Sequence, residues 1–400
     1  MPATLNRVHP LIIESLNSVM EGASIDRETA YNLINGHSIV FQALTETANR
    51  LRDLGKGRYV SYSRKVFIPL TTLCRDRCSY CDFRKEPNHP QGRFMTPDEV
   101  LQVAEAGQRF GCTEALFVLG ERPEQRYPEA RGQLKRLGYN TTMEYVEAMC
   151  QLVLKETTLL PHSNPGNMTL KELARLKEVN ASLGLMLENV SERLCAQGEP
   201  HEMAPSKRPR ARLSTLRRAG ELRIPFTTGL LIGIGETPEE VIDSLFAIKE
   251  LHDTYGHIQE VIIQNFRAKP TIPMRDHPEP TTEYIAKVAA MARVILGGSM
   301  NIQVPPNLSP GEYGLFLSAG INDWGGISPV TKDYVNPEAP WPEVEAVGRV
   351  CAEKGFELKA RLPLYPEYIL HKDDYLPDAL KERIRSHVDA EGFVKGGVIR

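Results

Sequence analysis

The sequence lacks the features that would send it into a membrane or out of the cell. No apolar run approaches the roughly 18 residues that a membrane-spanning helix needs. The amino-terminal segment lacks the charged, apolar and small-residue sections of a secretory signal peptide. We therefore expect a soluble, cytoplasmic protein.

An excess of charge of either sign is also missing. Lys and Arg number 48 and Asp and Glu number 51, which gives a formal net charge of −3. This balance offers no general attraction to nucleic acid or to an acidic membrane surface, so neither is predicted as a partner. With 41% hydrophobic and 25% charged residues, the chain has the composition of a globular protein.

The cysteines do not form the dense, even-numbered set of a secreted disulfide framework. There are seven, and three of them fall within eight residues in the spacing C-x3-C-x2-C: Cys74, Cys78 and Cys81. A zinc site would need a fourth ligand, yet no partner C-x-x-C or H-x3-H accompanies them. Electron-transfer iron–sulfur clusters also use four thiolates, so three would leave one iron open to a substrate or cofactor. Zinc, and three cysteines without any cluster, remain as alternatives.

Short apolar runs alternate with amphipathic helices along most of the chain. Strands are predicted at 66–73, 114–120, 158–164, 182–188, 226–234, 260–267, 301–305 and 319–324. Helices are predicted at 96–110, 141–156, 168–180, 206–219, 238–255, 281–296 and 309–318, with TPDEV at 96–100 and TPEEV at 237–241 as strong starts.

This alternation predicts an α/β fold with a parallel sheet, and eight units would close a (βα)8 barrel of the TIM type. We divide the chain into an N-terminal helical extension (1–60), the barrel (61–331) and a C-terminal helical appendage packed on the barrel (332–400). The chemistry of such a barrel lies at the carboxyl ends of its strands. The cysteine triplet follows the first predicted strand, as this rule requires.

The triplet, with Tyr80 directly before the third cysteine, resembles the signature of the radical S-adenosylmethionine (SAM) superfamily. The resemblance implies a radical SAM barrel in which Cys74, Cys78 and Cys81 bind three irons of a [4Fe-4S] cluster. It also implies S-adenosyl-L-methionine as the second cofactor, chelating the fourth iron and yielding a 5′-deoxyadenosyl radical.

Three further segments resemble the superfamily's motifs for the nucleoside cofactor. Each also has a plainer interpretation: a strand-end turn for the Gly-Glu pair, a helix cap for the acid after the fourth strand, and a phosphate-binding loop, which here lacks GK[ST], for the glycine-rich strand. The predicted cofactor-binding residues are Gly120, Glu121, Glu188, Gly229, Gly233 and Glu236.

Flanking residues narrow the resemblance to the radical subunits of 7,8-didemethyl-8-hydroxy-5-deazariboflavin synthase, the CofG type. The segments that carry it are IPLTTLCRDRCSYCDF, TTGLLIGIGETPEE and AGINDWGGISPVTKDYVNPEAPWP. One residue departs from the expected pattern, since Asp82 stands where a small or hydroxyl residue is expected.

The resemblance implies a lyase of coenzyme F-420 biosynthesis that acts on a hydroxybenzyl-ribityluracil adduct. Implied partners are an external one-electron donor such as ferredoxin or flavodoxin, and a functional pairing with the CofH-type subunit. Asp323 is the predicted catalytic proton acceptor, and a flat, hydroxylated substrate suggests polar and aromatic contacts from His162, Asn164, Gln264, Asn322 and Trp324. Competing hypotheses are a CofH-, aminofutalosine- or biotin-synthase-like enzyme, and a non-catalytic iron–sulfur or zinc sensor.

Overall fold

Eight parallel strands form a closed barrel in a computed structural model that describes residues 10–399. Each strand pairs with the next in the chain, and the eighth returns to the first through Ser61–Asp323 and Ser63–Gly326. The (βα)8 prediction is confirmed. The strands are β1 (Tyr59–Thr71), β2 (Glu114–Leu119), β3 (Leu160–Asn164), β4 (Ser182–Gly184), β5 (Phe226–Ile232), β6 (Ile258–Asn265), β7 (Ile302–Gln303) and β8 (Asp323–Ile327).

Helices surround the barrel and form the amino-terminal segment. They are α1 (Pro10–Met20), α2 (Arg27–Ile34), α3 (Ser38–Lys56), α4 (Pro97–Arg109), α5 (Pro128–Leu137), α6 (Thr142–Glu156), α7 (Leu170–Lys177), α8 (Pro209–Glu221), α9 (Pro238–Tyr255), α10 (Thr282–Leu296), α11 (Tyr313–Ser318), α12 (Val344–Glu353), α13 (Pro366–His371) and α14 (Lys381–Ser386). Within the described residues, no helix combines the length and the apolar character that a membrane crossing needs.

The two strong helix starts are capping boxes. The Thr96 hydroxyl accepts the Glu99 N–H, and the Glu99 carboxylate accepts the Thr96 N–H at 2.7 Å. Thr237 and Glu240 repeat the arrangement at the start of α9. Each box satisfies two backbone donors that a helix terminus leaves open, so these boundaries were predictable from four or five residues.

The carboxyl-terminal segment contains two strands, which were not predicted, besides its helices. Strand β9 (Glu357–Arg361) pairs in parallel with the first half of β1, from Tyr59–Glu357 to Ser63–Arg361. Strand β10 (Val398–Ile399) pairs antiparallel with β9. Strand β1 therefore begins seven residues before the predicted position, and its first half lies below β2 at the amino end of the barrel.

An ion network closes this amino end, which we call the floor of the barrel. The Arg361 guanidinium donates to both oxygens of Asp323, at 2.7 and 2.9 Å, and to Glu260 at 3.0 Å. The Tyr365 hydroxyl donates to the same Glu260 oxygen at 2.8 Å. All four side chains are buried. Because an unpaired buried charge costs several kcal/mol, the network ties the carboxyl-terminal segment to β6 and β8.

The start of β8 differs from the prediction. The strand was expected over 319–324, with Asn322 and Asp323 at its carboxyl end, but β8 begins at Asp323. Gly320, at φ +86°, lies against the Ala48 backbone in the turn that follows α11, where a Cβ would come within 2.7 Å of the Ala48 oxygen. The apolar residues Ala319 and Ile321 are therefore turn residues in the core, and they were mistaken for strand residues.

Replacing Asp323 tests the floor network. We expect Asp323→Asn to lower the free energy of unfolding by about 3–5 kcal/mol, because the buried Arg361 loses its bidentate partner. Urea unfolding measures the change. Asp253→Asn is the matched control, since it breaks the largely exposed Lys249–Asp253 pair and should cost no more than about 0.5 kcal/mol. Equal losses in the two variants would contradict this account.

The buried His257 predicts a dependence of stability on pH. Burial lowers its pKa from the ordinary 6.5 to about 3. Between these values the unfolded chain binds a proton that the folded chain does not, so stability falls as the pH drops from 6.5 towards 3. We expect His257→Leu to flatten this fall, measured by urea unfolding between pH 7 and 4.5. An unchanged slope would show that His257 does not contribute.

Candidate active site

A cavity of about 380 Å³ opens at the carboxyl end of the barrel. Residues from all eight strands or the loops that follow them line it, and it reaches down to Arg361 at the floor. The side chains discussed below lie in two groups. One group surrounds the loop after β1, and the other lies on the loops after β6, β7 and β8.

The loop after β1 brings all three predicted cysteines, Cys74, Cys78 and Cys81, to the cavity wall. This cysteine loop (residues 72–85) is paired with the segment 200–206 through backbone bonds from Arg77 N to Met203 O at 2.9 Å and from Ser79 N to Pro200 O at 3.0 Å. The buried Asp76 carboxylate adds bonds from the Ser206 N–H and hydroxyl. The sequence separates these two segments by about 120 residues, so their pairing is a product of the barrel.

The surroundings of the three thiols favour a metal cluster over a single metal ion. Burial raises the pKa of the Cys78 thiol to about 12 and also raises that of Cys74, so their ionisation needs a cation nearby. Within residues 10–399, no three His, Cys, Asp or Glu side chains converge on one ion position. A lone zinc would need such convergence, with sulfur at about 2.3 Å, whereas a cluster offers each thiolate its own iron.

The Gly120-Glu121 pair lies directly beside the first cysteine. A Cβ at Gly120 would stand 2.0 Å from the Leu73 carbonyl oxygen, so only glycine allows this approach. The Glu121 N–H donates to Cys74 Sγ at 3.2 Å, and Oε1 of Glu121 pairs with Arg75 at 2.9 Å. Its Oε2 is buried without a hydrogen-bond partner among the described residues. A buried carboxylate oxygen without a partner fits an ammonium group of a ligand.

Glu188 lines the same cavity from the segment that follows β4. Its backbone has φ +65°, a conformation that costs a non-glycine residue of order 1–3 kcal/mol and is concentrated at functional sites. Burial opposes ionisation of its carboxyl, but the ion pair with Lys207 and the nearby Arg212 outweigh it and lower the pKa. Glu188 is therefore a charged acceptor on the wall of the cavity.

The glycine-rich motif of β5 has structural reasons of its own. Gly229, Gly233 and Glu236 do not line the cavity. A Cβ at Gly229 would stand 2.2 Å from the Ile262 carbonyl oxygen of β6, and the Glu236 carboxylate accepts the N–H groups of Gly233 and Ile234. These residues shape the strand pair and the turn before α9, and their role at the cofactor stays a prediction.

Four predicted substrate residues line the cavity: His162, Asn164, Gln264 and Trp324. His162 Nδ1 lies 2.6 Å from the Ser182 hydroxyl, which itself donates to the Pro363 carbonyl at 2.6 Å. With its only hydrogen so used, Ser182 must accept from His162 Nδ1. Burial lowers the pKa of His162 to about 4, so the ring is neutral at pH 7.

Two of the three site residues predicted at β8, Asn322 and Asp323, lie outside the cavity, which corrects their predicted roles. The side-chain amide of Asn322 is hydrogen-bonded to Arg293, Ile302 and Asn301. Asp323 lies in the floor network, and neither Asn322 nor Asp323 lines the cavity. Trp324 borders the cavity, but its buried indole N–H donates to Cys351 Sγ of α12 at 3.5 Å. The later start of β8, at Asp323 rather than at 319, explains the placement of Asn322 and Asp323, because the first residues of a barrel strand lie at the floor.

Further residues, not predicted from the sequence, complete the wall of the cavity. Lys207 is the last residue of a 3₁₀ turn and Arg212 lies in α8, so the rule that site residues follow strands could not find them. The loop after β8 (residues 328–343, the β8 loop) is anchored by Trp341, which stacks on Phe67 with ring centres 5.0 Å apart and planes at 19°. The segment NPEAPWP (336–342) contributed to the family resemblance, but its contacts with β1 were not predicted.

Residues 68–248 match the Radical SAM superfamily. Over the fold, the chain is similar to the FeFe-hydrogenase maturase HydG from Carboxydothermus hydrogenoformans, with a TM-score of 0.70, 19% identity, and coverage of 94% of this chain and 88% of that one. The three thiols and the unpartnered Glu121 oxygen lie within the matched residues. The chain belongs to the radical SAM superfamily, whose members bind a [4Fe-4S] cluster and SAM.

Within the superfamily, the sequence relatives are more specific. The chain is 52% identical to the 7,8-didemethyl-8-hydroxy-5-deazariboflavin synthase of Methanopyrus kandleri over 336 residues, which are 84% of this chain and 100% of that protein. It is 45% identical to the FO synthase of Streptomyces coelicolor over 387 residues, which are 94% of this chain but 45% of that longer protein. The chain belongs to the family of 7,8-didemethyl-8-hydroxy-5-deazariboflavin synthases.

Adding one methyl group at Gly120 tests the contact between β2 and the cysteine loop. We expect Gly120→Ala to displace Cys74 and to reduce bound iron well below the roughly four atoms of a full cluster, measured after anaerobic reconstitution. Gly132→Ala in α5 is the matched control, because the nearest atom to its Cβ would be Arg136 Nη1 at 3.7 Å. Normal iron content in Gly120→Ala would contradict the proposed contact.

Proposed function

We propose that this chain converts 5-amino-5-(4-hydroxybenzyl)-6-(D-ribitylimino)-5,6-dihydrouracil into 7,8-didemethyl-8-hydroxy-5-deazariboflavin. The steps are abstraction of one hydrogen atom, ring closure, loss of ammonia, and an oxidation in which the ring-closed radical loses one electron and one proton. SAM is the net oxidant and leaves as methionine and 5′-deoxyadenosine. The observation that carries the proposal is the 52% identity over the full length of the Methanopyrus kandleri synthase. The chain would then be an ammonia-releasing carbon–nitrogen lyase of coenzyme F-420 biosynthesis.

The wall around the cysteine loop supports a place for both cofactors. When bound, the cluster and SAM supply the 5′-deoxyadenosyl radical that abstracts hydrogen from the substrate. Cys74, Cys78 and Cys81 would hold three irons, and the free Oε2 of Glu121 would accept hydrogen bonds from the methionyl ammonium. Glu188, kept ionised by Lys207, is suited to accept the ribose hydroxyls.

The opposite wall would hold the substrate and exclude water. Trp341 and Phe67 form an aromatic edge at the cavity, and the β8 loop is fixed there by bonds from Phe67 N to the Thr331 hydroxyl and from Trp341 Nε1 to the Thr331 carbonyl, both 3.0 Å. Neutral His162, deeper in the cavity and hydrogen-bonded to Asn164, has Nε2 as its unprotonated nitrogen, which can accept a proton. With Asp323 withdrawn to the floor, His162 replaces it as the candidate proton acceptor of the ring closure.

The proposal also includes partners outside the chain. A one-electron donor such as ferredoxin or flavodoxin would reduce the cluster, and the CofH-type subunit would provide the adduct. The Streptomyces coelicolor FO synthase is more than twice as long as the segment that this chain matches, which is consistent with a second catalytic module there.

Turnover of the adduct tests the proposal directly. Anaerobically reconstituted protein, given the adduct, SAM and dithionite, is expected to form a blue-fluorescent deazaflavin together with 5′-deoxyadenosine. Fluorescence that requires free tyrosine and 5-amino-6-(D-ribitylamino)uracil instead would reassign the chain to the CofH-type reaction. Formation of no 5′-deoxyadenosine at all, with zinc bound, would favour the sensor hypothesis.

Two cysteine variants control this assay. Cys78→Ala is expected to lose the brown absorbance of the cluster and all product, because the thiol lies on the cavity wall. Cys195→Ala is the matched control, since Cys195 lies at the end of a 3₁₀ turn outside the cavity and should keep both. Product formation by Cys78→Ala would disprove the assigned role of that thiol.

A further inference from the structure

An unsatisfied amide lies on the substrate side of the cavity. Asn307, on the loop after β7, is buried and lines the cavity. Its Nδ2 donates to Asp333 Oδ2 at 3.0 Å and to the Ala339 carbonyl at 3.2 Å, both in the β8 loop. Its Oδ1 is buried and has no hydrogen-bond partner within residues 10–399. A buried acceptor of this kind costs about 1–3 kcal/mol unless a ligand satisfies it.

The neighbouring carboxylate fixes which end of this amide faces the cavity. The Asp333 carboxylate accepts the N–H groups of Val335 and Asn336 at 2.8 and 3.0 Å, besides the amides of Asn307 and Asn336. An ionised carboxylate only accepts hydrogen bonds, so the NH₂ of Asn307 must face Asp333. The oxygen of Asn307 is therefore left for the cavity, and rotating the amide would bring two acceptors together.

A cationic donor belongs to the same network. Lys269, on the loop after β6, is buried, lines the cavity and donates to Asn336 Oδ1 at 2.8 Å. Among the described residues, no carboxylate forms an ion pair with it. An ammonium group carries three hydrogens, so Lys269 keeps donors for a ligand. Asn336 and Asp333 thus join one free acceptor, Asn307 Oδ1, to one donor, Lys269 Nζ.

We propose that Asn307 and Lys269 recognise the edge of a pyrimidinedione ring, in which an N–H group adjoins a carbonyl oxygen. Asn307 Oδ1 accepts the ring N–H, and Lys269 Nζ donates to the adjacent carbonyl. Asp333 and Asn336 are positioning residues that hold the two groups. The inference rests on the proposed function, whose substrate and product both contain this ring, and it names the part of the substrate that the β6–β8 side binds.

Other parts of the substrate match the pair less well. A ribityl hydroxyl or a phenol presents one O–H that donates or accepts at a single atom, whereas a ring edge presents a donor and an acceptor side by side. The flat ring also suits the wall that Trp341 and Phe67 form beside the β8 loop. The unpaired Glu121 oxygen and the thiols lie at the loop after β1, so the pair is separate from the proposed cofactor contacts.

Binding of the deazaflavin product tests the inference without turnover. Equilibrium dialysis of 7,8-didemethyl-8-hydroxy-5-deazariboflavin against the reconstituted protein, read by the blue fluorescence, is expected to show at least a roughly tenfold higher Kd for Asn307→Leu and Lys269→Met. Wild-type protein is expected to bind an analogue methylated at the ring N–H similarly weakly. Asn307→Leu should bind the methylated and the unmethylated ring with the same Kd. In Asp333→Asn, the two Kd values should differ by less than they do in wild type.

Several outcomes would overturn the inference. One is an unchanged Kd in Asn307→Leu, and another is full discrimination against the methylated ring in that variant. A third is that Asn307→Leu no longer raises the Kd when the ligand lacks its ribityl chain, which would assign the amide to the ribityl hydroxyls. Asn180→Leu is the matched control, a buried amide outside the cavity that should leave Kd unchanged. If Asn307→Leu does not fold, the methylated analogue still decides the question on wild-type protein.

The same preparation separates this inference from the proposed function. Wild-type protein that binds the deazaflavin through its ring N–H but cannot form it from the adduct would refute the function and leave the ring contact standing. Wild-type protein that forms the product, with an Asn307→Leu variant that binds and reacts equally well, would refute the ring contact alone.

Discussion

Charge inside the barrel is stabilised by pairing, and this constraint shapes both ends of the molecule. Lys65 pairs with Glu114 at 2.9 Å, Lys207 pairs with Glu188, and Arg361 joins Asp323 to Glu260. Each pair offsets a desolvation cost that would otherwise destabilise the fold by several kcal/mol. Against this background, the polar atoms left without partners in the cavity, such as Glu121 Oε2 and Asn307 Oδ1, stand out as positions for ligand groups.

The two ends of the barrel divide stability from chemistry. At the floor, every oxygen of Asp323 is engaged, and the carboxyl-terminal strand β9 is locked against β1. At the opposite end, the loops carry the thiols, the strained Glu188 and the amide of Asn307. This is the usual arrangement of the fold: the loops at the carboxyl ends of the strands carry the chemistry, and the opposite end serves stability. Asp323 was misassigned because β8 begins at this residue instead of ending beside it, which places Asp323 at the floor.

Much of the fold was predictable because its signals are local. The eight strands and the caps at Thr96 and Thr237 depend on short windows of sequence, and the cysteine spacing identified the superfamily. What failed depends on pairing between distant residues. The charged start of β1 is a strand only because β8 and β9 flank it, and Arg361 is buried only because Asp323 and Glu260 receive it. No window around Lys207 or Asn307 contains the partner that makes either residue part of the site.

The backbone bonds between the cysteine loop and residues 200–206 have a consequence for assembly. These bonds, and the Asp76–Ser206 contact, involve no sulfur, so folding itself restricts the loop. Fixing a residue's backbone costs roughly 1–2 kcal/mol of conformational entropy. Here folding of the chain, and not binding of a metal, carries that cost. Cluster binding by these thiols, as proposed, would therefore cost less conformational entropy than binding by a free peptide with the same three cysteines.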